Sequence, residues 1–323
     1  MERVAVIERT GGPEVIGWRE VELPPPGRGE VRMRNTAIGL NYIDTYHRSG
    51  IYPIPLPGGL GMEAAGVVEA IGEGVDLRPG DRVATFGPSR GAYATARNLP
   101  AAELFRLPEE VDDRTAAALL LKGCTAEFLV ERCAHVKAGQ TVLVWAAAGG
   151  VGQILIGWLK RVGATVIAVV GTEEKAARVR ELGADRVLLH RSEDIAARVR
   201  EITNGEGADV SLDSVGQASW EASLHSLTRR GLLVSYGNAG GPVTGVDLGL
   251  LAAKGSLVVT RPTLFDYYRE PHERAWGVER VWAMLRDGAI RPEVGRTFPL
   301  ADAAEAHRAL EAGETRGSTV LLP

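Results

Sequence analysis

Residues 142–175, VLVWAAAGGVGQILIGWLKRVGATVIAVVGTEEK, contain two apolar runs separated by a glycine-rich turn and a segment of helical length. This order predicts a strand, a tight turn, a helix that ends at glycine, and a second strand. In the turn, Gly149 and Gly150 let a diphosphate approach the backbone, and the helix from near Val151 directs N–H groups at it. Gly152 lets the helix pack close to the sheet. The turn predicts a pyrophosphate site, although a tight turn in any doubly wound sheet could use the same glycines.

The end of the second strand bears on which dinucleotide would bind. NAD-preferring sites usually carry Asp or Glu there, to bond the ribose 2′-hydroxyl. This strand instead ends in Gly171 and Thr172, and Lys175 follows three residues later. A hydroxyl and a lysine without a carboxylate at the tip favour a 2′-phosphate, and hence NADPH over NADH. Glu173 and Glu174 argue mildly against that interpretation.

The same alternation of strands and helices continues beyond the glycine turn. Strands are expected in ADRVLLH, ADVSLDSVG and LLVSYGN, with helices in EEKAARVRELG, SEDIAARVREITNG and SWEASLHSLTRRG. SLVVT adds a sixth strand. Parallel strands joined by helical crossovers predict a doubly wound α/β sheet.

The two ends of the chain have a different pattern. The first third reads as short strands and turns, including RVAVIER and EVRMRNTAIGL, with proline and glycine clusters between them. After residue 262 come two amphipathic helices and a last strand, GSTVLLP. We therefore expect a β-rich domain from residues 1–121 and 263–323, interrupted by a dinucleotide-binding domain at 122–262.

The composition excludes several classes of protein. The 323 residues carry a net charge of −4, which gives no basic footprint for nucleic acid. Two cysteines without a CxxC pair make neither a disulfide framework nor a structural zinc site. No apolar run is long enough to span a bilayer, and the N-terminus lacks a signal-peptide core. We expect a cytoplasmic protein that binds neither membrane nor nucleic acid.

Short motifs along the whole chain point to a known family. They are GGPEV at 11–15, GLNYIDTYHRSGIYP at 39–53, GMEAAGVVEAIGEGV at 61–75, GDRV at 80–83, AAAGGVG at 146–152, DSVG at 213–216, RRGLLVSYGNAGGPVTG at 229–245 and KGSLVVTRPTL at 254–264. With these motifs the chain resembles the zeta-crystallin-type quinone oxidoreductases of the medium-chain dehydrogenase/reductase superfamily. The resemblance implies a GroES-like domain, a Rossmann domain, a cleft between them, and a homodimer or homotetramer.

Zinc-dependent members of that superfamily place a cysteine and a histidine at positions that match Asn41 and Met62. The third ligand falls near Leu121 by our alignment, rather than at Cys124. A zinc site needs three or four converging N, S or O ligands, so we expect no metal. Hydride addition to a quinone or a conjugated enone suits such a site, because a few hydrogen-bond donors can stabilise the delocalised oxyanion.

The resemblance also implies residues at the catalytic end of the site. Asn41, in the motif NYIDTY, is expected beside the nicotinamide, where it would bond the ribose, the carboxamide or a substrate oxygen. Asp44 and Tyr46 would complete a polar network, and Tyr52 is a second phenol that could face a quinone. The alternative is that the two tyrosines only pack a loop. No general acid is assigned.

Further cofactor contacts are expected at strand ends. Thr125 matches the nicotinamide end in relatives, while its neighbour Cys124 reads as a small buried residue. His190 ends the third strand near the expected adenosine, although a surface histidine is the alternative. The remaining positions lie after strands four, five and six: Ser214, Gly237, Asn238 and Arg261. Trp145 and Glu127 depart from what relatives lead us to expect.

Three functions follow. The first is an NADPH-dependent, zinc-independent quinone reductase. The second is an enzyme on the same scaffold that reduces the C=C bond of enals, enones or enoyl thioesters. The third, from another class, is a cofactor-binding protein with a structural or RNA-binding role, against which the negative charge argues.

Overall fold

The structure is a computed structural model that describes residues 1–323. Its strands are β1 (Glu2–Ile7), β2 (Gly17–Val21), β3 (Glu30–Leu40), β4 (Gly58–Gly59), β5 (Glu63–Ile71), β6 (Arg82–Phe86), β7 (Ala96–Pro100), β8 (Leu104–Arg106), β9 (Thr141–Val144), β10 (Thr165–Val170), β11 (Arg186–Leu189), β12 (Ala208–Asp213), β13 (Leu227–Ser235), β14 (Val258–Thr260), β15 (Val294–Pro299) and β16 (Ser318–Leu322).

The α-helices connect and cover these strands. They are α1 (Tyr42–Ser49), α2 (Asp113–Glu127), α3 (Gly150–Val162), α4 (Glu173–Glu181), α5 (Ile195–Ile202), α6 (Trp220–Ser226), α7 (Leu248–Ala253), α8 (Leu264–Tyr267), α9 (Pro271–Arg286) and α10 (Ala303–Glu311). A wider π-helical segment, Phe128–Cys133, continues α2. No helix is long and apolar enough to cross a membrane.

The first compact unit consists of Met1–Leu121 and Pro292–Pro323. Its larger sheet has the order β15-β16-β3-β5-β6-β8, with β7 also paired to β3, and a smaller sheet has the order β2-β1-β4. Strand β16, from the end of the chain, pairs antiparallel with β3. The apolar side chains between the sheets and α10 form one core, so the C-terminal return completes the β-rich unit.

The second unit, Lys122–Arg291, is built on six parallel strands in the order β11-β10-β9-β12-β13-β14. The strand order reverses direction at β9, so a crevice for a ligand is expected at the carboxyl ends of β9 and β12. The predicted doubly wound sheet is confirmed, including its sixth strand.

The chain re-enters the first unit at Pro292, whereas the sequence pattern predicts this boundary at residue 263. Contacts of α9 within the second unit explain the difference. Arg280 of this helix forms an ion pair with Glu131, at 2.6 Å. A Cβ on Gly277 would lie 2.2 Å from the hydroxyl oxygen of Tyr268, so that helix and ring are in close contact.

A second difference concerns the segment SLHSLTRRG. The sequence predicts helix throughout, but α6 ends at Ser226 and β13 begins at Leu227. Leu227 pairs with Ala208 of β12, and the pairing then shifts register before Val210. Tertiary pairing with the neighbouring strand therefore overrides the local helical pattern.

Candidate functional site: a dinucleotide edge and a buried polar network

The glycine turn lies between β9 and α3, at the carboxyl edge of the parallel sheet. Gly149 is extended, and its N–H donates to the carbonyl oxygen of Ala146 at 2.9 Å. A Cβ on Gly152 would lie 2.5 Å from that oxygen and 2.6 Å from the Cα of Ala147, so only glycine lets α3 approach the turn this closely. Helix α3 starts at Gly150, one residue before Val151.

The N-terminus of α3 carries neither a side-chain cap nor an acidic residue in its first turn. Its first backbone N–H groups and its positive dipole end therefore have no negative partner from a cap. This geometry fits a diphosphate held by Gly149, Gly150 and Val151, as the sequence predicts.

Cationic groups meet at the tip of β10. A Cβ on Gly171 would lie 3.0 Å from Nε2 of His190 and 3.5 Å from Nε of Arg191, which places both side chains over this glycine. Burial and the nearby Arg191 lower the pKa of Lys175. Burial, Arg191 and Lys175 together lower the pKa of His190. Mutual repulsion among these groups would be relieved by an anion such as a phosphate.

Sequence reasoning missed Arg191 in this cluster. The available signal was its position directly after the third strand, beside His190 at the same sheet edge. Thr172 has a local role as well, since its side-chain oxygen caps α4 by accepting the N–H of Lys175 at 3.3 Å. Its hydroxyl proton can still be donated to a ligand.

The loops after β12 and β13 lie against each other. A Cβ on Gly237 would lie only 2.3 Å from the carbonyl oxygen of Ser214, and the N–H of Ala239 donates to that oxygen at 3.2 Å. The buried carboxylate of Asp213 holds the first loop by accepting the N–H groups of Val215 and Gly216. Ser214, Gly237 and Asn238 are thereby brought to one edge.

Arg261 joins the sixth strand to this edge. Its NH1 donates to the carbonyl oxygen of Ser235 at 2.7 Å and approaches that of Gly237 at 3.4 Å. The guanidinium therefore supports the loop whose residues the sequence assigns to cofactor contact.

Thr125 and Cys124 are both buried on α2. Glu127, which departs from what relatives lead us to expect, is fully buried in an ion pair with Arg132. Both nitrogens of the Arg132 fork bond its carboxylate, at 2.9 and 2.6 Å, and the hydroxyl of Tyr268 donates to it at 2.5 Å. Burial raises the pKa of Glu127, and Arg132 opposes that effect. Glu127 thus has a structural role, because it forms a buried ion pair with Arg132.

The other candidates lie in the first unit, at the start of α1. Asn41 and Asp44 form a capping box: the Asn41 side chain faces the N–H of Asp44, and Oδ2 of Asp44 accepts the N–H of Asn41 at 3.0 Å. The side-chain nitrogen of Asn41 donates to Oε2 of Glu63 at 2.9 Å. Asp44 is completely buried, and its contact with the N–H of Asn41 holds Asn41 at the start of α1.

A buried chain of hydrogen bonds runs from Asp44 to the C-terminal helix α10. The hydroxyl of Tyr93 donates to Oδ2 of Asp44 at 3.0 Å, and its oxygen lies 2.9 Å from Nε2 of His307. Nδ1 of His307 lies 3.2 Å from NH1 of Arg48, a donor, which makes Nε2 the protonated nitrogen. Sequence reasoning missed Tyr93 and His307, which share no motif with Asp44.

The tyrosines of NYIDTYHRSGIYP pack together. The rings of Tyr46 and Tyr52 meet edge to face, with centroids 5.2 Å apart, and the N–H of Tyr52 donates to the carbonyl oxygen of Tyr46. Tyr46 is buried, whereas Tyr52 is partly exposed. The contacts of Tyr46 favour the alternative in which this ring packs the loop. The partial exposure of Tyr52 is compatible with a contact to a ligand.

The positions matched to zinc ligands carry Asn41, Met62 and Leu121. No group of three or more His, Cys, Asp or Glu side chains is placed to hold a metal ion. Glu63, next to Met62, bonds both the Asn41 side chain and the N–H of Leu121. A carboxylate thus connects the three segments that carry these positions.

Comparison with known proteins places the chain. Residues 27–109 match the alcohol dehydrogenase GroES-like domain, and residues 150–270 match the model described as zinc-binding dehydrogenase. The quinone oxidoreductase of Pseudomonas aeruginosa is 48% identical over 315 residues, 97% of each chain. The 2-haloacrylate reductase of a Burkholderia species is 44% identical and spans 100% of this chain and 99% of its own.

A solved structure resembles this chain over its full length as well. The Escherichia coli quinone oxidoreductase complexed with NADPH superposes with a TM-score of 0.97 at 43% identity, over 99% of this chain and 100% of the other. Full-length identity at this level, together with the two domain matches, carries the assignment. The chain belongs to the quinone oxidoreductase family of the medium-chain dehydrogenase/reductase superfamily.

Proposed function

We propose that this chain is an NADPH-dependent quinone reductase that transfers hydride without zinc. The observation that carries the proposal is the pair of His190 and Arg191 side chains over Gly171, with the charge of Lys175 acting on His190, at a strand tip that bears no carboxylate. Such a cluster suits a 2′-phosphate, and the N-terminus of α3 suits the diphosphate. Bound NADPH would supply the hydride, and the chain supplies binding and orientation.

Each candidate residue has a role in this function. Gly149, Gly150 and Val151 hold the diphosphate, while Gly171, Thr172, Lys175 and His190 hold the 2′-phosphate ribose with the added Arg191. Ser214, Gly237, Asn238, Arg261 and Thr125 serve the nicotinamide half. Asn41 lies beside the nicotinamide, supported by Asp44 and Tyr46, and Tyr52 faces the quinone. Water delivers the final proton.

A steady-state assay tests this function. NADPH oxidation is followed by absorbance with 1,4-benzoquinone, with a 2-alkenal and without acceptor, and then repeated with NADH. We expect rapid turnover with quinone and NADPH. Lys175→Ala and Arg191→Ala should each raise the KM for NADPH about tenfold, because each loses a charged hydrogen bond. Exposed Lys137→Ala is the control and should change nothing.

Reduction of an activated C=C bond is the second candidate. It is favoured by the full-length similarity to an enzyme named 2-haloacrylate reductase. Turnover with the alkenal and none with the quinone would move the assignment to this reaction. Tight NADPH binding with no turnover on either acceptor would contradict both.

We also propose a homo-oligomer in the cytoplasm. Strand β14 is an edge of the parallel sheet, and Val258 on it and Leu248 before it are exposed. An unpaired apolar edge suits pairing with a second copy. Neither cysteine forms a disulfide, as is usual in a reducing compartment. Sedimentation equilibrium at micromolar concentration should give at least a dimer, and a monomer would refute this part.

A further inference from the structure

The carboxylate of Glu63 is completely buried at the start of β5. Its position depends on the absence of a side chain at Gly39, in the paired strand β3. A Cβ there would lie 2.3 Å from Oε2 of Glu63 and 2.2 Å from the carbonyl oxygen of Ala117. The fold thus makes room for an acid beside Asn41.

Two hydrogen bonds made by the side-chain nitrogen fix the orientation of the Asn41 amide. Its nitrogen lies 2.9 Å from Oε2 of Glu63 and 3.4 Å from the carbonyl oxygen of Gly39, which are both acceptors. Its oxygen faces the N–H of Asp44 in the capping box, although that N–H donates to the backbone carbonyl oxygen of Asn41 at 3.0 Å. Oε1 of Glu63 accepts the N–H of Leu121 at 2.7 Å, so the carboxylate itself cannot turn away.

We infer that Glu63 is a positioning residue that makes Asn41 an acceptor only. Both amide protons of Asn41 are directed at the protein, and the remaining capacity is a lone pair on its oxygen. Asn41 therefore accepts from a donor on the nicotinamide nucleoside, either a ribose hydroxyl or the carboxamide NH₂. It does not donate to the oxyanion that develops on the quinone. This inference rests on the proposed place of Asn41 at the cofactor.

The orientation can be measured without turnover. The chain has only five asparagines, so selective side-chain ¹⁵N labelling gives five amide pairs, and Asn41→Asp identifies one of them. We expect the Asn41 protons to exchange slowly with solvent in the ligand-free protein. In Glu63→Gln two NH₂ groups would face each other, so the Asn41 resonances should move and exchange faster. Unchanged resonances and exchange would overturn the inference.

A charge-conserving exchange provides the rescue. Glu63→Gln should weaken NADPH binding about tenfold by fluorescence titration, because one oriented hydrogen bond is lost. Adding Asn41→Asp lets the new amide donate to a carboxylate and restores an acceptor towards the cofactor, so affinity should recover. Glu69→Gln, on the exposed end of the same strand, is the matched control. Failure of the double variant to recover, with an unchanged melting temperature, would contradict the inference.

The 3-acetylpyridine analogue of NADPH separates the two donors, because it lacks the carboxamide NH₂. If Asn41 accepts from the carboxamide, the native enzyme should bind the analogue about tenfold more weakly than NADPH, and Glu63→Gln should remove that difference. If it accepts from the ribose, Glu63→Gln should weaken both equally. Asn41→Ala tests the underlying proposal: unchanged affinity and turnover would remove Asn41 from the cofactor site, whereas the amide resonances still report on Glu63.

Discussion

Three side chains that can carry a positive charge, Lys175, His190 and Arg191, act on one another at the end of β10. The protonation of His190 is the most sensitive to its charged neighbours, because the ordinary pKa of histidine is close to neutrality. Burial, Arg191 and Lys175 all keep it neutral, and Glu174 is the acid that acts on Lys175. A phosphate dianion in the same place would reverse the balance of charge. Binding and proton uptake at His190 should therefore be linked.

We predict that NADPH binds more tightly as the pH falls from 8 to 6, whereas NADH binding changes little. The sign follows from the pKa of His190, which is lowered in the free protein and would be raised by the 2′-phosphate. Lower pH then favours the protonated, liganded form. The change in Kd should be about threefold to tenfold, since one pKa unit corresponds to a factor of ten. His190→Phe should abolish it, and equal pH profiles for both cofactors would contradict the assignment.

At the scale of elements, the close approach of α3 to the glycine turn decides where the helix N-terminus lies. The atoms that a Cβ on Gly152 would meet all belong to the backbone of Ala146 and Ala147. Backbone atoms cannot rotate away as a flexible side chain can. The helix itself would have to move, and the N–H groups directed at the diphosphate would move with it.

Gly152→Ala should therefore destabilise the protein by about 1–3 kcal/mol, as expected for overpacking, although alanine is the better helix former. It should also weaken NADPH binding. Gly249→Ala in α7 is the matched control, because its nearest neighbours are atoms of the flexible Asp247 side chain. Denaturant unfolding and cofactor titration check both effects. Equal stability of the two variants would show that the glycine turn can shift to accommodate a methyl group at position 152.

At the scale of the whole molecule, the first unit is made from both ends of the chain. Strand β16 pairs with β3, and Arg48 on α1 forms an ion pair with Glu311 on α10 at 2.6 Å. His307, on α10, lies between Arg48 and Tyr93 in this contact. Burial lowers the pKa of His307 to about 3, and the charge of Arg48 adds to the effect.

Acid should weaken the contact between α1 and α10 at a pH above the range in which carboxylates titrate. His307 has a folded pKa far below its ordinary value of 6.5, so its contribution to stability is complete above pH 6.5 and is lost as the pH falls towards 3. His47, with a pKa lowered to about 4 by burial and then Arg90, acts in the same direction. We expect the melting temperature to fall between pH 6.5 and 4.5.

Variants separate the contributions to this acid response. His307→Gln should be less stable at pH 7 and should show a smaller fall on acidification, because one buried neutral histidine is gone. Exposed His272→Gln should behave like the native chain. Differential scanning fluorimetry at several pH values measures both. A steep fall that is unchanged in His307→Gln would remove His307 from this role.

The sequence by itself determined the doubly wound sheet, the glycine turn and the β-rich first domain, because periodicity and glycine placement are local properties of the chain. It also predicted the family through motifs such as AAAGGVG and GLNYIDTY. It did not predict contacts between residues that are distant in sequence: Arg191 over Gly171, Glu63 bonded to Asn41, and His307 bonded to Tyr93. The tertiary structure decided the end of α6, the side of the boundary on which α9 falls, and the direction in which the Asn41 amide faces. Each of these depends on partners distant in sequence, whose contacts form only when the sheets and helices assemble.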